Sequence, residues 1–439
     1  MRPLRLRARW AFPIDRGPIH DAAILTGSDG RIDSIGPHAS VPSPEDALAL
    51  DLGEASLLPG LVNTHTHLEL TGFEGAGADL EFRDWIATIR QLKERRSPAR
   101  FLEAARTGVR DCWAAGVTTI ADTGDSGAVI QALAELGGSG VVYQEVFGPH
   151  PAQLENSISG LSERVNALLP FCSERVRLGV SPHAPYTVSG PLYSRVAELA
   201  RRRGLPIAVH LAESKAESEF VTRGTGPFAE AWKARGIPQL SDPSHQPTAR
   251  PSDRLSAPSP VEWLDQHQVL GPDTLCIHAI QLTAGDIRTL AARAVAVAHC
   301  PLSNARHAHG SAPLGALRGA GVRVGLGTDS VASVGSLDLL AEARAARVLA
   351  GLGADEALAM ATLEGARALG LESRIGTLTP GKWADLVAIA LPEGASGSET
   401  EPAEHVLAAR RADTLLTVLG GRVVHRRDGP NLIRQGGGR

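Results

Sequence analysis

Short apolar runs recur through the middle of this chain, each followed by a stretch whose apolar residues return at helical spacing. The runs are Leu57 to His67, Gly116 to Asp122, Gly140 to Phe147, Val176 to Pro182, Leu205 to Leu211, Thr274 to Ile280, Ala294 to His299 and Val322 to Gly327. Near-continuous apolar strands are those covered on both faces, as in a parallel sheet flanked by helices. Between them, Phe101, Leu102, Ala105, Val109 and Trp113 illustrate the helical spacing. Eight such units predict an α/β protein with a (β/α)8 TIM-like barrel. The ends of the chain read differently. Arg2 to Trp10, Ala22 to Leu25 and Gly30 to Ile35, then Ala384 to Ala390, Asp413 to Leu419 and Gly421 to His425, are short strands broken by turn residues. They predict a small discontinuous β-sandwich domain formed by both termini.

The expected division is a β-sandwich part over 1–56, the barrel over 57–372, the second β-sandwich part over 373–428 and a disordered tail over 429–439. The proline-rich stretch from Asp242 to Pro260 forbids a regular element. It predicts a long loop after the fifth barrel strand, open between a lid and a surface insertion.

Polar chemistry begins where the apolar runs stop, at the end of the strands where a barrel keeps its active site. The first run ends in His65-x-His67, the fifth in His210-Leu-Ala-Glu213 and the eighth in Gly327-Thr-Asp329. In an extended strand residues i and i+2 share a face, so His65 and His67 can reach one point. The first and eighth strands of a closed barrel are neighbours, which brings Asp329 beside them, with His210 reaching across the mouth. Three imidazoles and a carboxylate suit zinc or ferrous iron better than magnesium or calcium. Glu213 is of the right type to move protons beside such an ion, and His278, ending the sixth run, is a second proton-handling or polarising candidate. His183, in Ser181-Pro-His-Ala-Pro-Tyr186, is expected to touch substrate; His299 is open between backing the site and a structural place, and His307 and His309 are given no role. The four lysines are Lys93, Lys215, Lys233 and Lys382, and none lies in the fourth strand, where a carboxylated lysine would bridge two ions. One divalent metal per subunit is expected.

Net charge of -4 with a pI near 6.4 offers no basic surplus to neutralise phosphates, so nucleic acid is disfavoured as a partner and a small molecule favoured. Cys112, Cys172, Cys276 and Cys300 are scattered, which suggests neither a disulfide framework nor a thiolate zinc site. The basic start, Met1 to Arg7, leads into no apolar stretch long enough for a signal peptide or membrane span. A cytoplasmic location without membrane partners is expected, and a homodimer is left open.

Taken together, Pro59-Gly-Leu-Val-Asn-Thr-His-Thr-His67, His210-Leu-Ala-Glu213, His278, Cys300-Pro-x-Ser-Asn304 and Gly327-Thr-Asp329 resemble the amidohydrolase superfamily over nearly the whole chain. Gly376-Thr-Leu-Thr-Pro-Gly-Lys-Trp-Ala-Asp-Leu-Val387 resembles its return into the β domain. The likeness is to the deaminase and chlorohydrolase branch, and it implies one metal held by His65, His67, His210 and Asp329, with Glu213, His278 and Asp329 catalytic. Within that branch, His67-Leu-Glu-Leu70, Phe82-x-Asp-Trp-Ile86, Pro258 to Leu264 and Gly327 to Ser333 look most like the aminodeoxyfutalosine deaminases of menaquinone biosynthesis. Leu302 and Ala279 depart from that pattern, which bears on the substrate and not on the reaction type.

The resemblance implies a hydrolase acting on carbon–nitrogen bonds other than peptide bonds, deaminating an aminopurine nucleoside, 6-aminodeoxyfutalosine first. His183, Glu145 at the end of the third strand and Asp84 in the Phe-x-Asp-Trp segment are the expected substrate-binding residues, since a carboxylate accepts hydrogen bonds from ribose hydroxyls. Competing readings keep the site and change the substrate to adenosine, S-adenosylhomocysteine, guanine or a chlorinated ring; the most remote is a non-catalytic scaffold.

Overall fold

The computed structural model describes residues 1–246, 257–392, 402–427 and 433–434. Much of the expected Asp242 to Pro260 loop, at 247–256, therefore lies outside the described residues, as does the tail over 429–439 except Ile433–Arg434.

The N-terminal strands are β1 (Leu4–Ala11), β2 (Ile19–Thr26), β3 (Ile32–Pro37), β4 (Leu48–Asp51) and β5 (Ala55–Pro59). Eight strands follow: β6 (Leu61–Thr66), β7 (Val117–Gly124), β8 (Gly140–Val146), β9 (Val176–Pro182), β10 (Ile207–Leu211), β11 (Thr274–His278), β12 (Ala296–His299) and β13 (Arg323–Leu326). The chain returns through β14 (Leu386–Ala390), β15 (Thr414–Leu419), β16 (Arg422–Arg426) and β17 (Ile433–Arg434).

Both termini join in one nine-stranded mixed sheet, ordered β16-β15-β14-β5-β1-β2-β3, with β4 on β1 and β17 on β4. Its joint is the antiparallel pairing of β5 with β14, where Leu57 faces Ala388. Leu4, Leu6 and Ala8 alternate along β1 and pack with Ile24, Leu57, Leu386 and Val418 into one buried cluster. That period-two pattern is what makes residues so distant in sequence share a core face.

The eight middle strands form a second sheet in sequence order, and a parallel bridge between Thr66 and Asp329 brings its two edges together into a nearly closed barrel. Registers are parallel, with His210 opposite Ile277 and Ala298 opposite Gly325. Strands β6, β7, β8, β10, β11 and β12 are buried along their full length, which explains their unbroken apolar runs. Each buried Val, Leu or Ile side chain contributes about 1.5–3 kcal/mol.

The expected first barrel strand, Leu57 to His67, is two strands. Pro59-Gly60 breaks it, sending β5 to the terminal sheet and β6 to the barrel. A Cβ at position 60 would lie 2.1 Å from Thr118 Oγ1, so only glycine lets the backbone pass there. Gly327 serves similarly at the end of β13, because a Cβ would fall 2.7 Å from the Cβ of His65. That close approach allows Asp329 N to donate to His65 O at 3.0 Å.

By compactness the chain divides into one unit of Met1–Asn63, Val109–Ile120 and Leu337–Arg439 and another of Thr64–Gly108 and Ala121–Ser336. All the residues of the site below belong to the second.

Candidate active site

His65 is the next-to-last residue of β6, fully buried, and His67 follows the strand end. Their ring centroids are 4.7 Å apart, and that of His210, from β10, lies 5.1 Å from His65 and 5.4 Å from His67. His65 Nε2 and His67 Nε2 stand 3.7 and 3.6 Å from Asp329 Oδ1. The donor atoms of His65, His67 and Asp329 lie within 4.8 Å of one another, as do those of His65, His210 and His278.

Local bonds aim these groups. His67 Nδ1 donates to Thr123 O at 2.8 Å, and His210 Nδ1 faces His183 O at 3.3 Å, so in both rings Nε2 keeps its lone pair for the centre. Asp329 Oδ2 accepts from Ser303 Oγ at 2.6 Å and Oδ1 from Ser330 N at 2.6 Å. Asp122, at the end of β7, accepts from Thr66 Oγ1 and Leu68 N and so braces the chain on both sides of His67. Ala212, His278, Ala279 and Asp329 all have positive φ, between 51° and 71°. Non-glycine residues in that region cost of order 1–3 kcal/mol each and persist where packing overdetermines them.

Burial keeps the imidazoles neutral. It pushes His65 down to about 4 and His183 to about 3, and holds His210 well below the usual histidine range. Burial alone would raise Asp329, but the facing His65 and His67 hold it well below the usual carboxylate range. Neutral imidazoles beside an ionised carboxylate are the donor states a divalent ion takes. Two ligands about 2.1 Å from one ion at the tetrahedral angle are about 3.4 Å apart, close to the Asp329 separations. His65, His67 and Asp329 therefore fit one transition-metal ion, and His210, which shares a second such group with His65, stands next to them as a further imidazole.

Glu213 is buried beside this cluster, its Oε1 3.5 Å from His278 Nε2 and 3.5 Å from His309 Nε2. Burial would raise its carboxyl, but the His278 and His309 rings, in their cationic form, outweigh this and bring it down to about 2. His309 was assigned no role from the sequence. It is buried at Glu213, with the Phe82 ring 4.4 Å away edge-on. The His307-x-His309 spacing, the same as at His65, was the available signal.

Glu217 was also missed. Its Oε1 accepts from Ala212 N at 2.7 Å and its Oε2 from Glu213 N at 2.9 Å, fixing the turn that presents Glu213. Ser214-x-x-Glu217 has the form of a helix-capping box, and Ser214 Oγ does accept from Glu217 N. The Glu217 carboxyl reaches past the cap residue to the turn of Ala212 and Glu213. Glu217→Leu would leave two buried N–H groups without acceptors at about 1–3 kcal/mol each. A clear fall in the midpoint of thermal unfolding is expected, and an unchanged midpoint would contradict this bracing role.

Glu145 is the next-to-last residue of β8, buried, with Oε1 lacking a partner and its donor atom within 4.8 Å of those of His183 and His210. His183 Nδ1 lies 2.8 Å from Thr187 Oγ1, whose own proton goes to Ala184 O, so His183 donates there and keeps Nε2 as an acceptor. Asp84 is not brought to this cluster. It lies on the helix Phe82–Glu94, its side chain 54% exposed and paired with Arg83. Phe82 and Trp85, three residues apart, turn the other side of the helix toward His309 and His307. On the same helix Lys93 pairs with the buried Glu69 at 2.5 Å and with Asp125 at 2.6 Å, tying it to the segments that follow β6 and β7.

Barrel and strand-end cluster together gather buried imidazoles and carboxylates at one mouth. The amidohydrolase family model matches residues 56–234 and 248–424, and the chain belongs to that family. It is a hydrolase of carbon–nitrogen bonds. A 5-methylthioadenosine/S-adenosylhomocysteine deaminase of Moorella thermoacetica is 32% identical over 424 residues, covering 93% of this chain and 91% of the relative. Among solved structures, an adenosine deaminase from Xanthomonas campestris with bound zinc has a TM-score of 0.80 and 25% identity, over 96% and 92% of the two chains. Helicobacter pylori aminofutalosine deaminase has the same fold, with a TM-score of 0.76 and 22% identity over 96% of this chain and 99% of that one. No helix among the described residues is long and apolar enough to cross a membrane.

Proposed function

We propose that the protein hydrolytically deaminates adenosine-type nucleosides, with 6-aminodeoxyfutalosine as its particular substrate and zinc as its metal. The observation that carries the reaction is the buried Glu213 carboxylate 3.5 Å from His278, whose donor atom lies within 4.8 Å of those of His65 and His210. The likeness to nucleoside deaminases supports the substrate class.

A divalent ion held by His65, His67, His210 and Asp329 would lower the pKa of water from about 15.7 toward about 7, supplying hydroxide at neutral pH. Glu213, ionised, takes the proton from water as its oxygen attacks the amino-bearing carbon of the purine. It then delivers that proton to the adjacent ring nitrogen. His278 holds the attacking oxygen in line, and Asp329 balances the charge of the cluster. Transfer of the remaining hydroxyl proton to the amino group, with collapse of the tetrahedral carbon to the ring carbonyl, breaks the carbon–nitrogen bond and releases ammonia. Glu145 and His183, whose donor atoms lie within 4.8 Å of that of His210, offer acceptors to ribose hydroxyls.

The test is ammonia release by the purified protein with aminodeoxyfutalosine, adenosine, S-adenosylhomocysteine, methylthioadenosine and guanine. The highest kcat/KM is expected for aminodeoxyfutalosine. A higher value for methylthioadenosine or S-adenosylhomocysteine would replace the particular substrate and leave the class standing, and turnover of guanine alone would overturn both.

A further inference from the structure

We infer that Asn304 is a positioning residue that sets the tautomer of His278. The short helix Pro301–Arg306 begins directly after β12 and carries two adjacent, fully buried polar side chains, Ser303 and Asn304. They serve different groups of the site. Ser303 Oγ donates to Asp329 Oδ2 at 2.6 Å, and Asn304 Oδ1 lies 2.9 Å from His278 Nδ1.

An amide oxygen only accepts, so the proton of His278 sits on Nδ1 and its Nε2 lone pair is turned toward Glu213, 3.5 Å away. Two acceptors, Glu213 Oε1 and His278 Nε2, then face one point. A water giving one hydrogen bond to each has its lone pairs directed away from both. The reversed tautomer would place a donor at Nε2 on the same carboxylate oxygen that His309 Nε2 already faces at 3.5 Å, leaving that oxygen little room to take the water's proton. Asn304 thereby keeps Glu213 available without touching substrate. His278 has a φ of 71°, so its ring direction is not left to an ordinary strand geometry and needs this outside contact.

This rests on the reading of Glu213 as the proton carrier, but the tautomer can be observed without any turnover. The experiment is nitrogen NMR of zinc-loaded protein labelled with 15N-histidine, with His278 assigned by its loss in His278→Gln. Wild type is expected to show a protonated Nδ1 and an unprotonated Nε2. Asn304→Leu, similar in size but without an acceptor, should lose that pattern while zinc content stays at one equivalent. Its kcat should fall about 10–100-fold with KM little changed. Asn304→Asp, which keeps an acceptor at the same place, should keep Nδ1 protonated and recover much of the rate. Three results would overturn the inference: a wild-type His278 protonated on Nε2 alone, an Asn304→Leu protein with the wild-type pattern, or an Asn304→Asp protein that loses the Nδ1 proton. If Asn304→Leu does not fold, the wild-type and Asn304→Asp spectra still decide it. A silent enzyme with the expected spectra would count against the proposed substrate and not against this role.

Discussion

Glu213→Gln is expected to lower kcat by about 100-fold or more while leaving the bound metal and the fold in place. The amide keeps the shape of the carboxylate and its place beside His278 and His309, each 3.5 Å from Oε1. It also leaves Glu217 free to hold the backbone N–H groups of Ala212 and Glu213. What it removes is the ability to take a proton and give it back, and positioned acid-base groups contribute roughly 10²–10⁴ in rate. Initial rates of ammonia release, elemental analysis and thermal unfolding of the same preparation check this. Loss of the metal would make Glu213 a ligand, and a rate within a few-fold of wild type would remove it from the reaction.

The residues legible in the sequence were those that end apolar runs. His65, His67, His210, His278 and Asp329 each stand where a barrel strand stops, and in a parallel barrel that position alone aims a side chain at the mouth. Strand order then made neighbours of β6 and β13, which the bridge between Thr66 and Asp329 bears out. Residues whose place depends on a turn or a helix phase were not legible in this way. His309 comes from a turn after the helix Pro301–Arg306, and only its packing against Phe82 and Glu213 gives it a place. Glu217 carries no signal in the sequence beyond Ser214-x-x-Glu217, the form of a cap; its bonds to Ala212 and Glu213 depend on how that turn folds. Asp84 failed for the converse reason. Its motif pointed to the site, but a helix turn of 3.6 residues puts Phe82 and Trp85 toward His309 and His307 and leaves Asp84 in solvent. The break at Gly60 depended on Thr118, a partner far along the chain.

Removing the metal should have the larger effect on activity. His65 and His210 are buried and His67 largely so, burial holds the three imidazoles below the usual histidine range, and Asp329 is held below the usual carboxylate range, which leaves their donor atoms in the states an ion takes. His210→Ala deletes the ligand that reaches across the mouth and is expected to reduce both metal content and ammonia release to background. Because the ion binds the folded chain, its return should also raise the unfolding midpoint; at a free concentration 100 times Kd the gain is about 2.7 kcal/mol.

The central claim is a single-ion hydrolytic site, and titration of metal-free protein with zinc during ammonia release from its best nucleoside substrate tests it most directly. Activity should rise linearly and stop at one equivalent per chain. A break at two equivalents, or full activity before any zinc is added, would contradict it.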